Sequence, residues 1–325
     1  MWLLACLVCA GCNRTATAST EEAKPKTVNQ PIGNFSADSA YNYIADQVAF
    51  GPRVPGTDGH KRCAQYLQTQ LQKFGAEDIL VQNATVTAHN GDELPITNIM
   101  GRYCITSPRR ILLVAHWDTR PWADQETHNE LRNKPIPGAN DGGSGVGVLL
   151  EIARNLGQEN PSVGVDILFV DAEDYGTNDG FLSDTDSWCL GTQYWVKNMP
   201  YSPEEMPEYG ILLDMVGGRD AIFHREHFSH INATRPTDKV WNEAAGIGMG
   251  DILINAIGGA VTDDHVFLTQ AGIPTTDIIE SLNSSTSSFP PTWHTHDDNM
   301  DNISTKSLDA VGKTVLSVIY KESAI

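Results

Sequence analysis

ILLVAHWD, residues 111–118, sets consecutive apolar side chains directly before a histidine, a tryptophan and an acid. A short run of this kind, without alternation, is the pattern of a strand covered on both faces. Two further stretches repeat it: VDILFVDAED (165–174) runs into Asp171, Glu173 and Asp174, and YGILLD (209–214) ends on Asp214. Loops are polar for ordinary reasons, so one acid after one strand says little. Acids and a histidine after all three runs point to the carboxyl edge of an open α/β sheet, where such folds place ligands.

Outward from these runs, spacing predicts helices over residues 36–49, 57–74, 145–156, 188–197, 239–246, 266–271 and 304–321. Further strands are predicted over 79–88 and 94–103. In the second helix Ala64, Leu67, Leu71 and Phe74 share one face, and Gly75 closes it. Apolar strands alternating with helices predict one α/β domain over residues 35–325. Its core is a mostly parallel, mixed β-sheet with helices on both faces. No second linker, repeat or low-complexity block interrupts this body.

Composition narrows the function. The chain has 325 residues, with 22 Lys+Arg against 41 Asp+Glu and a net charge of −19. That balance excludes a nucleic-acid binder, which needs cations to displace counterions. It also argues against a broad electrostatic grip on an anionic membrane. No apolar run reaches the roughly 18–20 residues that span a bilayer.

Residues 1–12 (MWLLACLVCAGC) carry no charged side chain and read as a secretory leader, with Cys12 as the acylated residue of a lipoprotein signal. The leader departs from that pattern in having no Lys or Arg at its start and Cys9 where Leu is usual. Residues 13–34, rich in Thr, Ser, Ala, Pro and Lys, read as a flexible tether. The expectation is an exported, periplasmic protein, anchored to a membrane through acylated Cys12. The body keeps Cys63, Cys104 and Cys189, too few and too widely spaced for a zinc ribbon or a disulfide framework.

Two more constellations carry chemistry. GANDGGSG (138–145) precedes a helix, with Asp141 where the turn enters it; an N-cap role alone would explain that acid. WHTHDD (293–298) follows a Ser- and Pro-rich loop. Asp, Glu and His drawn from separate strand ends suit a divalent cation, and three protein ligands with one open position is the catalytic zinc pattern. Rival motifs fail: HREH (224–227) is not H-E-x-x-H, and GGSGV (142–146) does not fit G-x-S-x-G, with Val146 where the second glycine belongs.

Taken in order, His116-Trp-Asp118, Ala139-Asn-Asp141-Gly-Gly-Ser-Gly, Asp171-Ala-Glu173-Asp174, Leu212-Leu-Asp214, Thr262-Asp263-Asp264-His265 and Trp293-His294-Thr resemble the zinc-dependent M28 aminopeptidase-like proteins. HWDTRPWAD (116–124), LLDMVG and FPPTWHTHDDN (289–299) resemble more narrowly the animal-like, type II glutaminyl cyclases in a bacterial form. The resemblance implies one zinc held by Asp141, Asp174 and His294, with Glu173 as general acid/base. It implies supporting carboxylates at Asp214 and Asp263, and aromatic pocket walls at Trp293 and Phe289. Asp174 departs from the family's glutamate. The loop at 175–187 is longer than in the family, and Trp188 is the candidate to replace its missing aromatic. Spacing alone does not separate His294 from His296 as the ligand.

The implied reaction is cyclisation of N-terminal glutamine in peptides or proteins to pyroglutamate, with release of ammonia. No enzyme nucleophile is needed, in keeping with the lack of a convincing Ser or Cys constellation. Trp117 is a weaker candidate for the pocket wall, since core packing explains it as well. The alternative on the same fold is a zinc aminopeptidase, with His116 or Asp118 and Asp214 holding a second zinc. A third reading, a secreted binding module without catalysis, fits poorly with a retained Glu173 beside all three candidate ligands.

Overall fold

The computed structural model describes residues 29, 32–177 and 185–322. The leader, most of the tether and the middle of the 175–187 loop lie outside the described residues. The strands are β1 (Asp78–Thr87), β2 (Glu93–Tyr103), β3 (Arg110–His116), β4 (Gly164–Val170), β5 (Gly210–Leu213), β6 (Phe223–Arg225), β7 (Leu253–Ile257) and β8 (Thr275–Ile278). The helices are α1 (Ala37–Val48), α2 (Asp58–Lys73), α3 (Gly143–Leu156), α4 (Leu190–Lys197), α5 (His227–Asn232), α6 (Thr234–Gly246), α7 (Asp264–Gln270) and α8 (Thr305–Glu322). No helix among the described residues is long and apolar enough to cross a membrane.

The three apolar runs are β3, β4 and β5, and every residue in them is buried. Their side chains alternate between two cores. Ile111, Leu113 and Ala115 of β3 pack in the layer that holds Val148 of α3 and Leu308 of α8. Leu112 and Val114 pack with Trp195 of α4 and Leu268 of α7. A strand sandwiched in this way has no polar face, so continuous apolarity marks it rather than alternation.

The six-stranded sheet has the order β1-β2-β4-β3-β5-β8. β4, β3, β5 and β8 run parallel, β2 is antiparallel to β4, and β1 is antiparallel to β2. This is the mixed, mostly parallel sheet with helices on both faces that the pattern predicts. From β3 the chain crosses through α3 to β4 on one side; from β5 it leaves to β8 on the other. The strand order thus reverses between β3 and β5, and the crevice above their carboxyl ends is the switch point where doubly wound sheets bind ligands.

Caps account for the helix boundaries. Ser36 and Thr57 accept hydrogen bonds from the N–H of Ser39 and His60 at the starts of α1 and α2. α6 begins at Thr234, before the expected 239, because Pro236 lies in its first turn, where a missing N–H costs little. β8 was not expected: Thr275, Thr276 and Asp277 are all fully buried, and a polar sequence conceals a core strand. Thr276 meets the Thr237 hydroxyl at 2.9 Å, and the Asp277 N–H donates to Ser229 Oγ at 3.0 Å.

Candidate metal centre and active site

β3 delivers His116 to the switch point. Its Nε2 lies 3.1 Å from Asp214 Oδ1, at the end of β5, and 3.1 Å from Asp141 Oδ1. Its Nδ1 lies 3.4 Å from Asp118 Oδ1. Burial works against the His116 cation, but its hydrogen bonds to Asp118, Asp141 and Asp214 outweigh it and hold the imidazole well above its ordinary range. Asp118 accepts from the main-chain N–H of Glu173 at 3.1 Å and of Asp174 at 3.2 Å, so it clamps the segment after β4. The backbone enters the left-handed region at Ala172 (φ 48°), Met215 (φ 48°) and His294 (φ 55°), each at or beside a site residue. Such conformations persist where surrounding structure dictates them, as at functional sites.

Asp141 does not cap α3. Gly142 occupies that position without a side-chain hydrogen bond, at φ 79°, and a Cβ there would sit 2.5 Å from the Asp118 carbonyl oxygen. Released from capping, the Asp141 carboxylate points Oδ1 at His116 and Oδ2 toward His294 Nε2, 3.7 Å away. The helix packs closely because Gly145 has no side chain; a Cβ would lie 2.1 Å from the Leu213 carbonyl oxygen.

His294 comes from the loop after β8. Its Nδ1 lies 3.0 Å from Asp124 Oδ1, which leaves Nε2 facing Asp174 Oδ1 at 3.2 Å. A carboxylate on one imidazole nitrogen fixes the other as the ligand atom. His296 instead lies with Nδ1 3.5 Å from Glu126 Oε2, so His294 is the histidine that the fold brings to Asp141 and Asp174.

Ligand atoms of Asp141, Asp174 and His294 all lie within 4.8 Å of one another. All three residues are buried, and Asp174 Oδ2 has no hydrogen-bond partner. Two carboxylates and an imidazole with an orphaned buried oxygen fit a zinc ion. His116, Asp141 and Asp214 form a second group whose ligand atoms also lie within 4.8 Å of one another, and it shares Asp141.

Glu173 is 8% exposed and lies outside both groups. Its Oε1 accepts from Cys189 Sγ at 3.4 Å, and Asp263 also offers a carboxylate oxygen within 4.8 Å of these atoms. Burial raises the Glu173 carboxyl well above its ordinary range; His116 opposes this, and Asp263, Asp174 and Asp264 add to it by like-charge crowding. Burial and then Asp214 push Asp263 up to about 7. Asp263 caps α7 through its Oδ1, while its Oδ2 is buried without a partner.

A cavity of about 240 Å³ is lined by all nine expected site residues: Asp141, Glu173, Asp174, Trp188, Asp214, Asp263, Phe289, Trp293 and His294. Phe289 and Trp293 rings lie 4.6 Å apart, and Trp293 stacks on His294 at 3.8 Å. Trp117 is not part of this wall: it is fully buried, stacks on His60 at 4.4 Å and donates its indole N–H to the Thr97 carbonyl. Cys63, Cys104 and Cys189 are free thiols, the first and last of them buried. Sequence reasoning passed over Asp124, Asp298 and Cys189; Asp124 lay within the quoted HWDTRPWAD stretch, but spacing does not reveal a partner 170 residues away.

Residues 98–319 match the sequence profile of Peptidase family M28. The chain belongs to that family. Among solved structures, this M28 protein is 48% identical to Bacteroides thetaiotaomicron glutaminyl cyclase bound to N-acetylhistamine, over 90% of its own length and 99% of that chain, with a TM-score of 0.85. It is 51% identical to Tannerella forsythia glutaminyl cyclase, over 88% and 99% of the two chains, with a TM-score of 0.84. It is 50% identical to a Zn-dependent exopeptidase from Parabacteroides distasonis, over 89% and 99%, also with a TM-score of 0.84.

Proposed function

We propose that this M28 protein is a zinc-dependent glutaminyl-peptide cyclotransferase, which converts N-terminal glutamine of peptides or proteins to pyroglutamate and releases ammonia. The observation that carries the reading is 48–51% identity, over about nine-tenths of the chain, to solved glutaminyl cyclases. Asp141, Asp174 and His294 would hold the zinc, which when bound supplies Lewis acidity toward the γ-carboxamide oxygen.

The remaining chemistry belongs to the chain. Trp188, Phe289 and Trp293 confine the glutamine side chain so that the α-amine meets its own Cδ, a proximity effect. The N–Cδ bond forms and the Cδ–NH2 bond breaks, with no water consumed. Glu173 takes the proton lost by the amine and returns it to the departing ammonia. Its carboxyl, raised by burial and crowded by Asp263, Asp174 and Asp264, suits it to hold that proton, and Asp214 in turn crowds Asp263.

The test is Glu173→Gln on a Gln-initiated peptide followed by mass. Zinc content should persist while turnover falls by about 10²–10⁴; near wild-type turnover would reject the assignment. The shared-Asp141 group formed with His116 and Asp214 favours a second reading, a two-zinc aminopeptidase. Release of a free amino acid in place of ammonia would select it. Export by residues 1–12 and anchoring at acylated Cys12 belong to the same proposal, supported by the leader's apolar sequence; metabolic labelling with palmitate, and its loss in Cys12→Ser, tests them.

A further inference from the structure

We propose that Arg120 is a positioning residue that couples the hold on the metal to the wall of the substrate cavity. The inference rests on zinc lying at Asp141, Asp174 and His294. Arg120 belongs to the HWDTRPWAD stretch, yet nothing in the chemistry above uses it. Its side chain is 1% exposed, an unusual place for a cation, and its contacts explain why it is tolerated.

Nε and Nη2 bind the Asp124 carboxylate at 2.8 and 2.9 Å, two parallel bonds in the fork geometry particular to arginine. Nη1 donates to Asp174 Oδ1 at 3.1 Å, and to the carbonyl oxygens of Asp174 at 3.1 Å and Gly176 at 3.3 Å. The guanidinium carbon lies over the Trp122 ring at 5.1 Å and over the Trp188 ring at 4.9 Å.

One cation therefore sets two of the three candidate ligands. It occupies Oδ1 of Asp174 and leaves Oδ2 without a partner. It also pins Asp124, whose Oδ1 lies 3.0 Å from His294 Nδ1 and so turns Nε2 toward Asp141 and Asp174. Asp174 is one methylene shorter than the glutamate that the resemblance leads one to expect, and the bond from Arg120 fixes its carboxylate from behind. The same guanidinium supports Trp188, whose ring lies nearly parallel to that of His294, 6.2 Å away, and lines the cavity. A lysine could supply the charge but not the fork, the third bond and the flat face together.

The experiment uses Arg120→Lys and Arg120→Gln. Metal is stripped, the zinc Kd is measured by competition with a chromophoric chelator, and kcat and KM are then measured on a Gln-initiated peptide at saturating zinc. Both variants should bind zinc about 10–100-fold more weakly, the usual cost of losing an outer-shell partner. At saturating zinc, KM should rise by more than kcat falls, because the Trp188 wall loosens. Unchanged or tighter zinc binding overturns the proposal, and weaker zinc binding with unchanged KM overturns the coupling. Zinc affinity is read without turnover, so a wild type that binds zinc but cyclises nothing would reject the proposed function alone. Should the Arg120 variants not fold, Asp124→Ala, at a side chain 32% exposed, follows the same path. It must weaken zinc binding over the same range, and unchanged affinity overturns the proposal.

Discussion

Asp298 straddles the backbone that presents Asp141: its Oδ1 accepts the Asn140 N–H at 2.7 Å and its Oδ2 accepts the Asp141 N–H at 3.1 Å. The turn before α3 is thus held by a carboxylate 157 residues away, not by a helix cap. Asn140 extends the tie, accepting the Gly217 N–H at 2.8 Å. Asp298→Asn retains one acceptor and places an NH2 against a main-chain N–H. The variant should lose about 10–100-fold in zinc affinity, as outer partners of ligands do, with the cavity's aromatic wall unaffected. Chelator competition measures this; affinity within twofold of wild type would show that Asp298 does not set Asp141.

The Cys189 thiol donates to Glu173 Oε1 at 3.4 Å and is fully buried. Burial pushes this thiol well above its ordinary range, so it stays protonated as a donor. A hydrogen bond of this kind is worth about 1 kcal/mol. Cys189→Ala should therefore lower kcat by roughly three- to tenfold with KM unchanged, whereas Cys189→Ser keeps a donor and most of the rate. A KM effect in place of a kcat effect would reject the contact to Glu173 as its cause.

Much of this arrangement is legible in the sequence, and the illegible part has physical reasons. β3, β4 and β5 announce themselves because sandwiched strands carry no polar face, and acids after apolar runs mark the edge where ligands bind. β8 stays hidden because its residues are polar by type: in the core the Thr276 hydroxyl meets Thr237 and the Asp277 main-chain N–H meets Ser229, while the Asp277 carboxylate is buried without a hydrogen-bond partner. Asp141 looks like an N-cap in sequence; only the left-handed Gly142 shows that the cap position lies one residue later. Arg120, Asp124 and Asp298 act across 54, 170 and 157 residues, separations at which no local spacing rule operates. Trp117 and Trp188 are alike as residue types, and burial alone assigns the first to the core and the second to the cavity.

Away from the metal centre, Glu226 caps α5 and ties the cavity loop to it. It accepts from the N–H groups of Phe228, Ser229 and Val261 at 2.9, 2.6 and 3.0 Å, and lies 3.0 Å from His265 Nε2. Burial opposes its charge, but His265 and the main-chain N–H groups prevail and lower its carboxyl from 4.5 to about 2. A depressed carboxylate contributes stability that is complete above its unfolded value and is lost as pH falls toward the folded one. The window is therefore pH 4.5 down to about 2, and the contribution is on the order of 3 kcal/mol. Urea unfolding across that window should show stability falling as acid is added, and Glu226→Gln should flatten the slope while lowering stability near neutrality. An unchanged slope in the variant would place the acid sensitivity elsewhere.

The two ligand groups that share Asp141 set up a test of metal count. His116 Nε2 sits 3.1 Å from both Asp141 Oδ1 and Asp214 Oδ1, so a single nitrogen already bridges the two carboxylates that a second ion would need. At His294 the ring's outer nitrogen, Nδ1, faces Asp124, which leaves Nε2 for the ion. At His116 the outer nitrogen is 3.4 Å from Asp118, while Nε2 is committed to the two acids. His294 Nε2 has one acid close, Asp174 Oδ1 at 3.2 Å, with Asp141 Oδ2 at 3.7 Å, whereas His116 Nε2 has both of its acids at 3.1 Å. Metal analysis of protein equilibrated with excess zinc and then dialysed should give one zinc per chain, lost in His294→Ala and kept in His116→Ala. Two zinc ions in the wild type, falling to one in His116→Ala, would show that the bridge opens to admit a second ion and would favour the aminopeptidase.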